Sequence, residues 1–149
     1  MYNSVKILLS IGLLSILSFS CKNDDDLTGN NPNLIDPLVN INLNLSLPQY
    51  DALRFPSGSV LLNPPQGIKG IVVYNINNSE YTAFELSDPN HTPNSCSRME
   101  IDGIIATCPC PTDENEYNIV TGQHMGDQNL YPMQRYNAVR NGNVITISN

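Results

Sequence analysis

The chain of 149 residues contains no tryptophan, and its 7 lysines and arginines stand against 14 aspartates and glutamates, a formal net charge of −7. No lysine/arginine cluster occurs anywhere. An acidic chain of this kind is excluded from phosphate-led binding to nucleic acid. No G-x-x-x-x-G-K-[ST], G-x-G-x-x-G or G-x-S-x-G motif is present, which leaves ATP, dinucleotide and α/β-hydrolase chemistry without support. No serine lies in a recognisable nucleophile elbow, and the chain is not expected to be an enzyme. Apolar spacing of the helical kind is missing too, apart from a possible turn at "PQYDALRF" (48–55), so a helical domain is excluded.

The longest apolar run, "ILLSIGLLSILSFS" (7–20), is shorter than the ~20 residues that a membrane-spanning helix needs. It follows Lys6 and ends in small residues, the pattern of a secretory signal peptide. The junction "SFSCKNDDDLTGNNPN" resembles a bacterial lipoprotein signal, with Ser18 where the common pattern has leucine. That resemblance implies cleavage before Cys21, lipidation of Cys21 and an outer-membrane lipoprotein, periplasmic or surface-exposed. "KNDDD" also resembles a tag that sends some lipoproteins to the cell surface. Without residues 1–20, which hold one basic residue (Lys6) and no acidic one, the balance is 6 against 14, a net −8. The membrane contact expected is therefore through lipid and not through a basic face. Protein or small-molecule partners are not legible.

Three segments are expected: signal peptide 1–20, lipidated Cys21 with a disordered tether to residue 37, and a single β-domain over 38–149. The tether is read from its Asp, Asn, Gly and Pro content. From Val39, "VNINLNLSL" alternates apolar and polar residues, the period of a half-buried strand. "GIKGIVVYNI" (67–76), turn residues "NNSE" and "YTAFEL" (81–86) form a predicted hairpin. "RMEI" and "IIATC" flank Asp102-Gly103, and "YNAVR" and "VITIS" flank Asn141-Gly142, two further predicted hairpins. Short strands at this spacing predict an all-β antiparallel sandwich or small barrel. In an exported chain disulfides persist. With Cys21 acylated, Cys96, Cys108 and Cys110 remain, which is most simply one bridge and one thiol.

The order of these features over residues 67–149 resembles the Rieske iron–sulfur domain. "GIVVYNINNSEYTAFELSDPNH" is similar to its approach to a first cluster loop, "IIATCPCPTDENEYNIVTG" to its second loop, and "LYPMQRYNAVRNGNVITISN" to its closing hairpin. The resemblance implies two facing hairpin loops, C-x-H and C-x-x-H, that hold a 2Fe-2S cluster. Here the ligand positions are degenerate. Asp88 and Asn90 stand at the first pair; a register shifted by one recovers His91 but places Pro89 at the cysteine. The second pair is Cys108 and Pro111. The resemblance also implies a loop-to-loop disulfide, which falls on Cys96 and Cys110.

The function expected is therefore non-catalytic: a lipid-anchored, Rieske-like binding or structural module at the cell envelope that has lost its cluster and carries no cofactor. The alternative is a 2Fe-2S electron-transfer protein with altered ligation. No metal is expected, with His91 and Cys108 as the remaining candidate ligands. Asp88, His91, Cys108 and Asp113 would make a ligand mixture acceptable to zinc, but no recognisable spacing relates them. Cys108 is expected to be a buried, inert thiol against Ile104 and Ile105. His124 is read as a loop residue, and "DENEY" (113–117) as a solvated acidic loop in which calcium is the one cation worth testing.

Overall fold

The computed structural model describes residues 31–149; the expected signal peptide, Cys21 and the expected tether up to residue 30 lie outside the described residues. Among the described residues, nine strands form two antiparallel sheets, the all-β architecture expected. β1 (Asn40–Asn44), β2 (Ser59–Leu62), β3 (Ile71–Asn75), β4 (Tyr81–Glu85), β8 (Arg135–Asn141) and β9 (Val144–Ser148) make a six-stranded sheet in the order β1-β9-β8-β4-β3-β2. It curls as a half-barrel. β5 (Glu100–Asp102), β6 (Ile105–Thr107) and β7 (Glu116–Asn118) make a small sheet in sequence order. The helical content of the named elements is one 3₁₀ segment, Pro48–Arg54, at the turn seen in the sequence. No helix among the described residues is long and apolar enough to cross a membrane.

The predicted first strand runs to Leu47 but the observed one stops at Asn44. The Asn44 side chain accepts the Ser46 N–H at 2.9 Å and its carbonyl accepts the Leu47 N–H at 3.0 Å. An Asn side chain that captures its own downstream backbone ends a strand in a turn.

β3 and β4 are buried along their whole length, on both faces. Two covered faces explain the unbroken apolar run "IVVY", where a half-exposed strand would alternate. Ile71, Val73 and Ala83 pack with Leu43, Leu53, Tyr136, Ile145 and Ile147 in one core. Val72, Phe84 and Leu86 pack on the other side with Met99, Ala106, Cys108, Tyr117 and Ile119. The small sheet and its loops thus rest on the back of the central hairpin.

The two tight hairpins differ from their predicted turns by one residue. Asp102 pairs with Ile105 and Asn141 with Val144, so the two-residue loops are Gly103-Ile104 and Gly142-Asn143. Both glycines have φ +59°. Glycine at the first loop position with positive φ is the arrangement of a II′ turn, whereas Asp-Gly or Asn-Gly would need positive φ at both residues. The shift has a consequence for the site. It moves Ile104 out of the strand into the exposed turn and turns Ala106 and Cys108 inward together.

Residues 31–37, counted with the tether in the sequence, lie against the domain. The side chains of Asn31 and Asn33 both donate to the Pro89 carbonyl, at 2.8 and 2.9 Å, and Asp36 accepts from Gln134 and Asn149.

Candidate functional site

Two loops face each other across the small sheet. The first, 89–96, leaves β4 and is closed at its base by the Asp88 N–H to Ser97 carbonyl bond, 2.9 Å, and the Met99 N–H to Leu86 carbonyl bond, 2.7 Å. The second, 109–114, leaves β6 and is closed by the Cys108 N–H to Asn115 carbonyl bond, 2.9 Å. A disulfide between Cys96 and Cys110 joins them.

Asp88, at the first degenerate position, is fully buried. Its Oδ1 accepts the Asn90 N–H and the Tyr117 hydroxyl, each at 2.8 Å, and its Oδ2 accepts the Asn115 side-chain amide at 3.0 Å. A carboxylate taken from water must recover its hydrogen bonds in this way. Burial, with the Asp88 carboxylate beside it, pushes the Tyr117 phenol well above its ordinary range. Asn90 is fully engaged. Its side chain donates to the Tyr117 hydroxyl and the Tyr131 carbonyl and accepts the Tyr131 N–H, at 2.8, 2.9 and 2.9 Å. Pro111 is exposed and has no side-chain donor atom to offer an iron.

His91 and Cys108 do meet: Nε2 lies 3.4 Å from the Cys108 sulfur. His91 Nε2 is also 3.4 Å from Asp113 Oδ2 and 3.8 Å from Asp88 Oδ2. His91, Cys108 and Asp113, which share no spacing in the sequence, therefore bring ligand atoms within 4.8 Å of one another, with Asp88 behind His91. Cys110 Sγ lies close by, but it is spent in the disulfide. Cys108 is buried, and desolvation pushes its thiol up to about 12, with the Asp88 and Asp113 carboxylates adding to the rise and the Cys110 backbone N–H opposing it. Its packing partners differ from those expected. Cys108 belongs to the cluster of Leu86, Met99, Ala106 and Tyr117, because the hairpin shift carries Ile104 outward and Ile105 lies on the opposite face of β6.

The acidic stretch 113–117 is no acidic cluster in space. Period-two geometry turns Asp113, Asn115 and Tyr117 toward the site and leaves Glu114 and Glu116 exposed. A calcium cage needs several convergent oxygens, and these carboxylates diverge. His124 is not an idle loop residue. Its ring packs edge-on against Tyr117, 5.2 Å between centroids, and its Nδ1 accepts the Gly126 and Asp127 N–H groups at 3.0 and 2.8 Å. The proton therefore sits on Nε2, which donates to Asn115 Oδ1 at 3.3 Å. A chain His124–Asn115–Asp88 so ends at the site. Asn115, Tyr117 and Tyr131 were not singled out in the sequence; for the first two, alternation through "DENEY" is the signal that finds them.

No family model and no curated protein matches the chain. Among solved structures, a chain of the complex of reduced oxygenase and oxidized ferredoxin in carbazole 1,9a-dioxygenase is similar, with TM-score 0.47 and 16% identity, covering 74% of this chain and 92% of that one. The ferredoxin of carbazole 1,9a-dioxygenase from Nocardioides aromaticivorans IC177 gives 0.46 and 13%, covering 76% and 98%. The E. coli protein NirD gives 0.39 and 17%, covering 64% and 86%. At these values the likeness decides nothing about ligands.

Proposed function

We propose that this chain is a lipid-anchored β-domain with the two-loop arrangement of a Rieske domain but no iron–sulfur cluster, serving as a non-catalytic binding or structural module at the cell envelope. The observation that carries this reading is the donor set. A Rieske cluster takes two thiolates on one iron and two imidazoles on the other. The two loops offer one thiol, Cys108, and one imidazole, His91, because Asn90 and Pro111 have no ligand of either kind and Cys110 is bonded to Cys96. Asp88 is already held by three hydrogen-bond donors. These residues do not fit a 2Fe-2S centre.

The test is an iron and acid-labile sulfide assay with a visible spectrum on protein purified anaerobically from iron-replete cells. The expected protein is colourless, with well under one iron per chain. Two irons per chain, with absorption that bleaches on reduction, would overturn the reading. Anchoring is a separate question, supported by the "SFSCKNDDD" junction and by the acidic balance of the remaining chain. Cys21→Ser is expected to abolish fatty-acid labelling and leave the precursor unprocessed. Normal palmitate labelling of that variant would remove the anchor while leaving the cluster argument intact.

A further inference from the structure

The convergence of His91, Cys108 and Asp113 has a scale that can be compared with a real metal site. Zinc binds nitrogen and oxygen at about 2.0–2.2 Å and sulfur at about 2.3 Å in a tetrahedron, which puts neighbouring ligand atoms roughly 3.3–3.6 Å apart. His91 Nε2 stands 3.4 Å from Cys108 Sγ and 3.4 Å from Asp113 Oδ2. Asp88 Oδ2, at 3.8 Å, is a few tenths of an ångström wider. Ordinary packing of a histidine beside a thiol does not require a carboxylate of the facing loop at the same point.

The ring orientation is an independent sign. His91 Nδ1 lies 3.1 Å from the Thr92 carbonyl. A carbonyl can only accept, so Nδ1 carries a proton, and Nε2 is the ring nitrogen that faces the cluster and would be presented to a metal. Metal-binding histidines are held in this way, with the second ring nitrogen donating to a backbone carbonyl or carboxylate. Asp113 adds a third sign, since its Oδ1 is buried without a hydrogen-bond partner among the described residues. Around Asp88, the Tyr117 hydroxyl and the Asn115 amide form the outer support, and His124 orients Asn115.

We propose that His91 Nε2, Cys108 Sγ and Asp113 Oδ2 form a three-residue site for a borderline divalent cation, zinc foremost, with Asp88 as a hydrogen-bonded carboxylate behind His91. Sulfur and imidazole nitrogen in the set disfavour calcium and magnesium, which take oxygen ligands. A mixed thiolate, imidazole and carboxylate set suits zinc. On binding, the Cys108 thiol gives its proton to the buffer and the sulfur bonds the ion. Three protein donors drawn from the two loops leave the fourth position to water, and the ion is a second clamp between loops already joined by the disulfide. The proposal rests on the cluster-free reading only in that Cys108 must not be held by an iron–sulfur cluster.

Full-length protein in detergent, stripped with EDTA, would be titrated anaerobically with Co(II) and then Zn(II). The expected result is saturation at one cobalt per chain, with intense tetrahedral d–d bands and a near-ultraviolet sulfur-to-cobalt charge-transfer band, all bleached by one equivalent of zinc. His91→Ala and Asp113→Asn, both at loop positions, are expected to weaken zinc at least tenfold against a chromophoric chelator, and Cys108→Ser to remove the charge-transfer band. Absence of saturable binding, or bands and affinity unchanged in folded His91→Ala, would overturn the site. Failure of the cluster-free reading would look different, as iron and labile sulfide in the protein before stripping. If Cys108→Ser does not fold, the His91 variant and the wild-type charge-transfer band decide the question.

Discussion

The six-stranded sheet and the loop-bearing small sheet are built on opposite principles. In the large sheet, strands of four to seven residues pair from edge strand β1 across to edge strand β2, and an apolar core covers their inner face. In the small one, strands of three residues carry two loops fixed by a disulfide, backbone closures and asparagine side chains. Two buried carboxylates three residues apart show the same contrast. Glu85 accepts from the Ile68, Lys69 and Ser87 N–H groups and the Tyr136 hydroxyl, and so is saturated by the scaffold. Asp88 is held on one side by Asn90, Tyr117 and Asn115 and still turns Oδ2 toward His91. One region stores stability in apolar burial; the other uses polar and covalent ties to hold reactive groups at one point.

That contrast breaks first in the large sheet. Ile145 is fully buried between strands β1 and β8. Ile145→Ala is expected to cost about 2–5 kcal/mol, the range for such truncations in a core, and to lower a single cooperative urea transition of the whole domain. In the loop region the largest effect should come from the disulfide. Cys96→Ala frees a loop with a sequence separation of 14 residues. The expected loss is about 2–4 kcal/mol, with amide-exchange protection falling mainly in 88–99 and 108–117. Equal loss of protection throughout the large sheet would show that the two regions are one unit. Asp88→Asn is smaller. The new amide can still accept from Tyr117 and Asn90, but it sets an N–H₂ against the donor of Asn115, a mismatch of about 1–3 kcal/mol in a buried site.

The large sheet was legible in the sequence because its signals are local. Alternation in "VNINLNLSL" and "VITIS", the run "IVVY" and the glycine turns each lie within a few residues of the structure they specify. Even the hairpin error was one residue, set by which turn type the glycine adopts. The site was legible only as a list of residue types. His91 meets Cys108 across 17 positions and Asp113 across 22, through loops whose facing geometry depends on a hairpin register and on ties such as Asn90 to Tyr131. No spacing rule encodes contacts of that kind. The resemblance to the Rieske domain brought the loops face to face on paper, but its own ligand register pointed to Asn90 and Pro111, away from the residues that converge.

The finest effect separates the regions by pH, in metal-free protein kept in EDTA. The Cys108 thiol is raised from 9.0 to about 12 by burial and the flanking carboxylates. In the unfolded chain the thiol ionises near its ordinary value, whereas the folded chain holds the proton. Over that interval the folded state binds more protons, so stability must fall as pH rises. The contribution is fully present below pH 9.0 and is lost as pH passes toward about 12. Cys108→Ala removes this term at a small packing cost and should flatten the alkaline decline, measured as the urea midpoint between neutral pH and the onset of general alkaline unfolding. Tyr117 and Tyr136 are also raised by burial and keep a residual slope in both proteins, so the readout is the difference between wild type and variant. Alkylation gives the same answer by rate, since the thiolate is the nucleophile: folded Cys108 should react slowly at pH 8 and rapidly once urea opens the loops. Fast modification of the folded protein would mean that the loop region is open where the large sheet is closed.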